Sequence, residues 1–483
     1  SALSQLPVSQ EIPNWLKQFS VFVKRDVLSK LSNSQYMAIN LLLTPVLALF
    51  IAYFVKYYDV VGGKTSEYSF YYNSNIPVFF FMSIVVALFV GLIVSAEEIF
   101  KDRKILKREK YLRLSRSGYL SSKVFVLFSL SAIQTISFMV TGHILLEIPF
   151  SEMSSWWILF SCSCFANMLG LNISSAFNSA VTIYILIPML VIPQLLLSGV
   201  VIQFDKVNPH VTSPNGIPLV GETMASRWAF EAYMVSQFKD NPFEEQFYEL
   251  DKKEAQAEYK RIYYLPALES KLAFVLNHRG QWRDNRDGNE VKSSLNLLRN
   301  EIQNELQLIG EDKFPDVNKL MVGKFDSAVY KSTTRFLSVL KEYYTLRSNQ
   351  AIRDKENLIL SQTKTPEEMR AFGEKKLKYQ NESVKQLVEN SSDPVRIIEW
   401  EGKLIQKIYP IYFDDHRPSN QFDFTGSFYI PQKYFLGVKW DTFYFNIVII
   451  WAMTVFLYVT LYFEWIRKVV VMIENRLKYG SKD

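Results

Sequence analysis

Few residues of this sequence have the types and spacing that chemistry at a site requires. The four histidines stand far apart, at positions 143, 210, 278 and 416, so no pair of them predicts a metal site or a proton-transfer site. Cys162 and Cys164 lie in an apolar run without a histidine or a carboxylate nearby. Two residues apart on a helix, they would face different directions. We therefore expect packed thiols, not a disulfide framework or a metal centre, and no catalytic residue.

Two short segments resemble ligand-binding loops but lack a required residue at one position. The segment 62–65, Gly-Gly-Lys-Thr, resembles the end of a phosphate-binding loop, but Tyr58 stands where such a loop has its first glycine. The run 283–289 has Arg283, not aspartate, five residues before its glycine, so it predicts a turn and not a calcium loop. Neither segment therefore predicts a nucleotide site or a calcium site.

The distribution of apolar residues predicts the elements that hold the remaining polar groups. A bilayer core of about 30 Å needs about 20 apolar residues in a helix. Six almost uncharged segments of the 483-residue chain meet this length: 37–55, 76–95, 124–146, 156–176, 181–202 and 442–463. The predicted fold class is an all-α polytopic membrane protein. It has six transmembrane helices and a large, mostly helical extracytoplasmic domain between the fifth and the sixth.

Lysine and arginine residues predict the orientation, because short cytoplasmic segments carry an excess of both. The segments before the first span, between the second and third spans, and after the sixth span are basic. The short segments 58–75 and 147–155 hold one lysine and none. We expect a multi-pass protein of the cytoplasmic (inner) membrane with both termini in the cytoplasm and no cleavable signal peptide. The net charge of +6 gives no indication of nucleic-acid binding.

These features divide the chain into five parts. They are a cytoplasmic amphipathic helix in 1–34, spans one to five in 35–202 with a charged cytoplasmic helix at 96–123, an extracytoplasmic domain at 203–440, the sixth span at 441–465, and a basic cytoplasmic tail at 466–483. The first helix either anchors the first span at the membrane surface or connects it to a cytoplasmic motor. The charged helix is either a solvated face or a docking surface for a partner.

Several segments, in this order along the chain, resemble the membrane domains of type-2 ABC exporters, which include the G subfamily. The charged run from Glu97 to Tyr119 resembles the family's connection between its second and third spans. Ser198-Gly199 after the fifth span and the later segment 224–232 resemble further parts of the family. The resemblance covers about residues 11–235 and 440–465. The large size of the 203–440 domain departs from the common G-subfamily pattern.

The resemblance implies a site that couples this chain to an ATPase. In the family, a charged coupling helix contacts the nucleotide-binding domain, and a tyrosine precedes the third span. The matching residues are Glu97, Glu98, Arg108, Glu109 and Tyr119. The implied partners are an ABC nucleotide-binding domain, which would hold ATP and Mg, and a second membrane protomer, identical or homologous. The ATPase is expected on a separate chain or in a part of the polypeptide outside this sequence. A periplasmic or envelope partner is a further candidate, and no cofactor is expected in this chain.

The resemblance also implies a substrate path between two protomers, lined by the second and fifth spans. The cavity residues would be Phe79, Met82, Val86, Tyr184, Pro188 and Ile192, with Leu195, Leu196 and Leu197 as an outer gate. The plainer alternative is that these side chains face lipid or neighbouring helices. The near-absence of charged residues within the spans disfavours proton coupling and favours an apolar path.

The expected function is the permease part of an ABC exporter. Its substrate would be hydrophobic or amphipathic: a lipid, a lipid-linked glycan, a lipopeptide or a drug. The alternative is a non-transporting membrane scaffold or signalling subunit whose outer domain docks envelope partners. An intramembrane enzyme is disfavoured because no catalytic pair appears in any span.

Overall fold

Most of the chain is helical in the computed structural model, which describes residues 14–58, 60–61, 64–65, 67–109, 115–149, 153–208, 217–278, 286–413 and 428–480. Within these residues, five helices are long and apolar enough to cross a membrane. They are α2 (Ser34–Val55), α3 (Ile76–Ala96), α5 (Arg116–Leu146), α6 (Ser154–Ala176) and α16 (Thr442–Tyr462). The sequence prediction of a mostly helical chain with several apolar helices is therefore confirmed.

The fifth predicted span is shorter than its hydropathy suggested. Helix α7 covers Ala180–Leu196, only 17 residues, whereas the apolar segment continues to position 202. The chain does not continue as a helix through Gly199, whose φ is +81°, and a Cβ there would lie 2.6 Å from the ring of Phe204. Glycine adopts this conformation without steric cost. The last residues of the segment form turns and bends, so the prediction of one continuous helix over 181–202 was wrong at its end.

Helices α3 and α6 form the centre of the membrane bundle. They pack along each other, while α5 and α16 pack on α6 and α7 packs on α3. Close approach depends on small residues, as is usual between membrane helices. A Cβ on Gly91 of α3 would lie 2.8 Å from the backbone oxygen of Ser163 in α6.

Three further helices lie beside the ends of the bundle: α1 (Trp15–Ser32), α4 (Glu98–Glu109) and α17 (Trp465–Gly480). α1 packs against α5. α4 follows α3 after a break at Glu97. Helix α5 already begins at Arg116, eight residues before the span that hydropathy places at 124–146, because Ser115 caps it by accepting a hydrogen bond from the Gly118 amide at 3.2 Å.

Residues 203–440 lie between α7 and α16 in the chain, and we call this segment the inserted domain. Its helices are α8 (Leu219–Glu222), α9 (Ala225–Lys239), α10 (Tyr248–Tyr259), α11 (Leu265–Asn277), α12 (Arg286–Ile309), α13 (Ser327–Gln362), α14 (Pro366–Tyr379) and α15 (Glu382–Val388). The strands of the described residues form three antiparallel pairs: β1 (Val60–Val61) with β2 (Lys64–Thr65), β3 (Ile397–Trp400) with β4 (Lys403–Gln406), and β5 (Gln432–Phe435) with β6 (Val438–Asp441). The all-α prediction missed these hairpins.

The inserted domain has a hydrophobic core of its own. The buried face of α12 includes Leu295, Leu298, Ile302 and Leu306, the helical spacing that the sequence shows. The helix stops before Gly310, whose φ is +110°, as the glycine predicts. The turn predicted over 283–289 was wrong from position 286 onward, since α12 begins there; positions 283–285 lie outside the described residues.

Helix α9 attaches the inserted domain to the membrane bundle. It packs against α16, α6 and α3, and buried Glu231 accepts hydrogen bonds from Lys433 of β5 at 3.0 Å and from Asn446 of α16 at 2.9 Å. Burial lowers the pKa of Lys433 to about 8, although Glu231 opposes the shift. Burial would raise the pKa of Glu231, but the charges of Lys433 and Arg227 outweigh it, and that pKa is lowered.

A second attachment joins α15 to the segment before α3. Buried Asn381 donates hydrogen bonds from Nδ2 to the carbonyl oxygens of Phe70 at 2.6 Å and Asn73 at 3.0 Å. Its Oδ1 accepts a hydrogen bond from the Val384 amide and so caps α15. The inserted domain is thus held at two separate places on the bundle.

Gly91→Ala should destabilise the protein, because the added methyl group would meet the Ser163 carbonyl and the Ala166 side chain. Overpacking of this kind costs about 1–3 kcal/mol. The measurement is the thermal unfolding midpoint of the purified chain in detergent. Gly373→Ala is the matched control, since nothing lies within 4 Å of its added Cβ, and it should leave the midpoint unchanged or higher. Equal midpoints for the two variants would contradict this packing.

Stability of the inserted domain should fall as pH rises, because of Glu244. Burial, with the nearby charge of Asp251, raises the pKa of Glu244 to about 8. A group with a raised pKa in the folded state contributes stability that is full below its unfolded pKa, about 4.3, and is lost as pH rises through 8. The unfolding midpoint should therefore be lower at pH 8.5 than at pH 5.5. Glu244→Gln should flatten this dependence, whereas Glu245→Gln, on an exposed neighbour, should keep it.

Candidate coupling site and substrate path

A buried lysine joins three helices at one end of the bundle. Lys123 of α5 is only 5% exposed. Its Nζ lies 2.6 Å from Asp26 of α1, 3.0 Å from Glu98 of α4 and 3.0 Å from Asp102 of α4. An ammonium group carries three donors, so it can donate one hydrogen bond to each carboxylate. We call these four residues the Lys123 cluster.

Two neighbouring side chains, Lys30 and Tyr119, add further contacts to the carboxylates of the Lys123 cluster. Lys30 Nζ lies 2.7 Å from Glu98 Oε1 and 3.3 Å from Asp26 Oδ2. The Tyr119 hydroxyl donates to Asp102 Oδ2 at 2.9 Å. Three carboxylates thus face two ammonium groups and one hydroxyl. Removing one partner of such a buried set leaves an uncompensated charge, which is strongly destabilising.

Helix α4 is fixed to α6 as well as to α5. The Ser174 hydroxyl oxygen of α6 accepts hydrogen bonds from the amides of Ile99 at 3.0 Å and Phe100 at 2.9 Å, which otherwise lack a partner within the first turn of a helix. Arg103 donates to the backbone oxygens of Ser174 at 3.0 Å and Ser175 at 2.6 Å. Because these bonds reach both backbone and side chains, α4 cannot shift by itself without breaking them.

The structure brings together some of the predicted coupling residues. Glu98 belongs to the Lys123 cluster, and Tyr119 donates to it. Glu97 lies apart from the cluster: it pairs with Lys101 at 2.5 Å and forms a side-chain hydrogen bond with Tyr184 of α7.

Arg108 and Glu109 form the end of α4, and their side chains lie outside the described part. Sequence reasoning missed Asp26, Lys30 and Lys123 as members of this site. The sequence does contain a signal for Lys123, because this lysine comes directly before the apolar segment 124–146. A charge at such a position needs either an oppositely charged partner or water.

The predicted cavity residues lie on two different surfaces. Phe79 is 1% exposed and packs inside the bundle, where its ring would collide with a Cβ on Gly142. Tyr184, Pro188 and Ile192 follow each other at four-residue spacing, so they share one face of α7, and this face is exposed.

The other path residues are only partly open. Met82 is exposed and Val86 is half-buried. Among the predicted gate residues, Leu196 is exposed, whereas Leu195 and Leu197 are half-buried. Leu197 stands just after α7, and its amide donates to the Pro193 carbonyl at 3.0 Å. In a single protomer, this part of the surface is free to contact lipid or a second protomer.

Comparison with known families identifies the region that contains these sites. The family model of the ABC-2 type transporter matches residues 17–238. This match supports a type-2 ABC exporter membrane domain over these residues. The matched region runs from α1 into the last turn of α9, so it contains the whole Lys123 cluster and all of α7. No curated protein gives a significant match to the chain.

The family match agrees with the resemblance of this region to a type-2 ABC exporter membrane domain, and it supports an ABC permease of the multi-pass membrane class. ABC-2 membrane domains normally pair with an ABC ATPase and form dimers. Helices α10 to α17 lie beyond the matched region, and so does most of the inserted domain.

Lys123→Met should destabilise the protein by about 3 kcal/mol, since it leaves buried carboxylates without their counter-charge. The free energy of unfolding, measured on the purified chain, tests this. Lys17→Met is the control because Lys17 is exposed on α1, the helix that carries Asp26, and its effect should be small. Lys123→Arg should recover part of the loss. If Lys123→Met and Lys17→Met were equally stable, the Lys123 cluster would not hold the helices together.

Proposed function

We propose that this chain is the permease of an ATP-driven exporter that works as a dimer, with an ABC ATPase docked at α1 and α4. The Lys123 cluster carries the proposal, because it joins the proposed docking helices to α5 through buried ion pairs of 2.6 to 3.0 Å. The match of the ABC-2 type transporter model to residues 17–238, which contain this cluster, supports the proposal. ATP and Mg would be bound by the ATPase, not by this chain.

The contacts of α4 suggest how ATP binding would move the permease. Closing two ATPase domains would pull the two copies of α4 and the 177–180 turn together. Because α4 is bonded to α5 through Lys123 and to α6 through Ser174, those helices would follow it. Such a concerted movement would change which side of the membrane the path between the protomers opens to.

The path we propose is apolar, and its substrate is hydrophobic or amphipathic: a lipid, a lipid-linked glycan, a lipopeptide or a drug. The exposed face of α7 with Tyr184, Pro188 and Ile192 would meet Met82 and the second protomer, and Leu195 to Leu197 would close the outer end. Phe79, buried within one protomer, would support the wall and not touch substrate. The termini would be cytoplasmic, in the inner membrane, with the inserted domain outside.

The inserted domain favours a second candidate, a scaffold or signalling subunit. This domain has its own hydrophobic core and two buried attachments to the bundle. It could dock an envelope partner and pass a movement of the bundle to it, without a transported substrate.

The deciding experiment is ATPase activity of the complex purified from membranes with its co-purifying partner. Robust hydrolysis that Arg108→Glu or Glu109→Lys lowers at least tenfold would support coupling through α4 and justify a screen of lipids and drugs. Lys313→Glu, on an exposed side chain of the inserted domain, should leave the rate unchanged. A complex without a nucleotide-binding partner or ATPase activity would contradict the exporter and favour the scaffold.

A further inference from the structure

An apolar groove runs along the outside of the membrane bundle, away from α7. Its volume is about 540 Å³, and its lining comes from α1, α5, α6 and α16. The groove forms because α5 and α16 both pack on α6, which leaves a gap between them with α6 as the floor. Helix α7 packs instead on α3 and α9 and contributes no lining residue, so the groove is separate from the proposed substrate path.

Aromatic rings form the walls and floor of the groove. Phe128 of α5 contacts Phe160 of α6, with ring centroids 6.5 Å apart. At the α1 end, Phe19 stacks on Trp15 at 5.4 Å and meets Phe125 of α5 edge-on at 6.0 Å. Apolar rings in such a shape do not hold ordered water, because water needs several polar partners.

The groove has the length of one bilayer leaflet. Its lining on α5 runs from Ser121 to Ala132, eleven residue-to-residue steps that rise about 17 Å at 1.5 Å each. Half of a hydrocarbon core of about 30 Å is about 15 Å. A chain that enters at the α1 end would therefore reach the middle of the membrane where the groove ends.

Most polar groups of the groove stand at its α1 end; Ser129, farther along, donates its hydroxyl hydrogen to the Phe125 carbonyl at 2.8 Å. Trp15 Nε1 donates to Ser117 Oγ at 3.0 Å, and the hydroxyls of Ser121 and Tyr458 bond across α5 and α16 at 3.1 Å. Tryptophan with its N–H paired is typical of the membrane interface.

Arg116 begins α5 at this end of the groove. Its Nη2 pairs with Glu464 at 2.8 Å, and its side chain is 48% exposed. A guanidinium group carries five N–H donors, so others can reach a phosphate group.

We propose that this groove binds one acyl chain of a phospholipid from the leaflet beside α1, with the lipid phosphate next to Arg116. The bound chain would fill the space between α1 and α5 and hold α1 against the bundle. Since Asp26 of α1 is a member of the Lys123 cluster, the lipid would also help to hold that cluster in register. This proposal goes beyond the proposed function and does not depend on the identity of the transported substrate.

The test uses the full chain in phosphatidylcholine nanodiscs that contain about 1 mol % of a phosphatidylglycerol with a photoreactive acyl chain. After illumination, the labelled peptides are identified by mass spectrometry. We expect saturable labelling of the α5 peptide that contains Ser121 to Ala132, and competition by unlabelled phosphatidylglycerol. Phosphatidylglycerol should compete better than phosphatidylcholine if Arg116 contacts the headgroup, and Arg116→Gln should remove that preference.

Filling the groove provides the matched variants. Ser129→Trp, whose side chain would project into the groove, should lower labelling at least fivefold. Ser129→Leu, whose side chain is smaller, should lower labelling by a smaller factor. Ile144→Trp is the control, because Ile144 is exposed on the same helix and lies twelve residues beyond Ala132, where the lining of the groove ends. Gel filtration of each variant confirms that the fold is kept, and Ser129→Leu preserves the test if Ser129→Trp does not fold.

Three outcomes would overturn the proposal. Labelling that is not saturable and is equal in the Ser129 and Ile144 variants would mean ordinary contact with bulk lipid. Labelling that appears only after deletion of residues 1–13 would mean that this segment occupies the groove. Labelling that is lost only when dimers form would mean that a second copy covers it. None of these results depends on ATPase activity, so they can be told apart from a failure of the exporter proposal.

Discussion

A lysine that leaves water must be matched by negative charge at hydrogen-bond distance, and Lys123 meets this condition with carboxylates from two other helices. Asp26 comes from α1, and Glu98 and Asp102 come from α4. A hydrophobic residue of similar volume could fill the same space and would often be no less stable. It would not fix the rotation of α1 and α4 about α5, because apolar packing tolerates many arrangements. The ion pairs therefore define the geometry that any docked ATPase would meet.

The features that the sequence predicted well are those set by local patterns. Long uncharged segments mark α2, α3, α6 and α16, and the spacing of leucines and isoleucines marks α12 up to Gly310. Boundaries depend on single residues that hydropathy does not weigh, such as Gly199 after α7 and Ser115 before α5. The strand pairs were missed because they are only two to four residues long and carry little period-two signal.

The candidate site was only partly predictable, for a different reason. Glu98 and Tyr119 could be found because they lie in one charged stretch that resembles a family motif. Asp26 and Lys123 are 97 positions apart, and nothing local in the sequence pairs them. Phe79 shows the same limit within a span. When a helix is apolar on all sides, its sequence does not indicate which face turns inward.

The two attachments of the inserted domain have a mechanical consequence. Asn381 holds the segment before α3, and Glu231 with Lys433 holds the start of α16, so the helix ends on that side are cross-braced by buried bonds. Movements that keep these bonds must pivot at the braced side. Helix α3 has 21 residues and is about 30 Å long, so a tilt of about 10° displaces its far end by about 5 Å. The helix ends beside the inserted domain then move least. Helix α4, which follows the opposite end of α3, moves most.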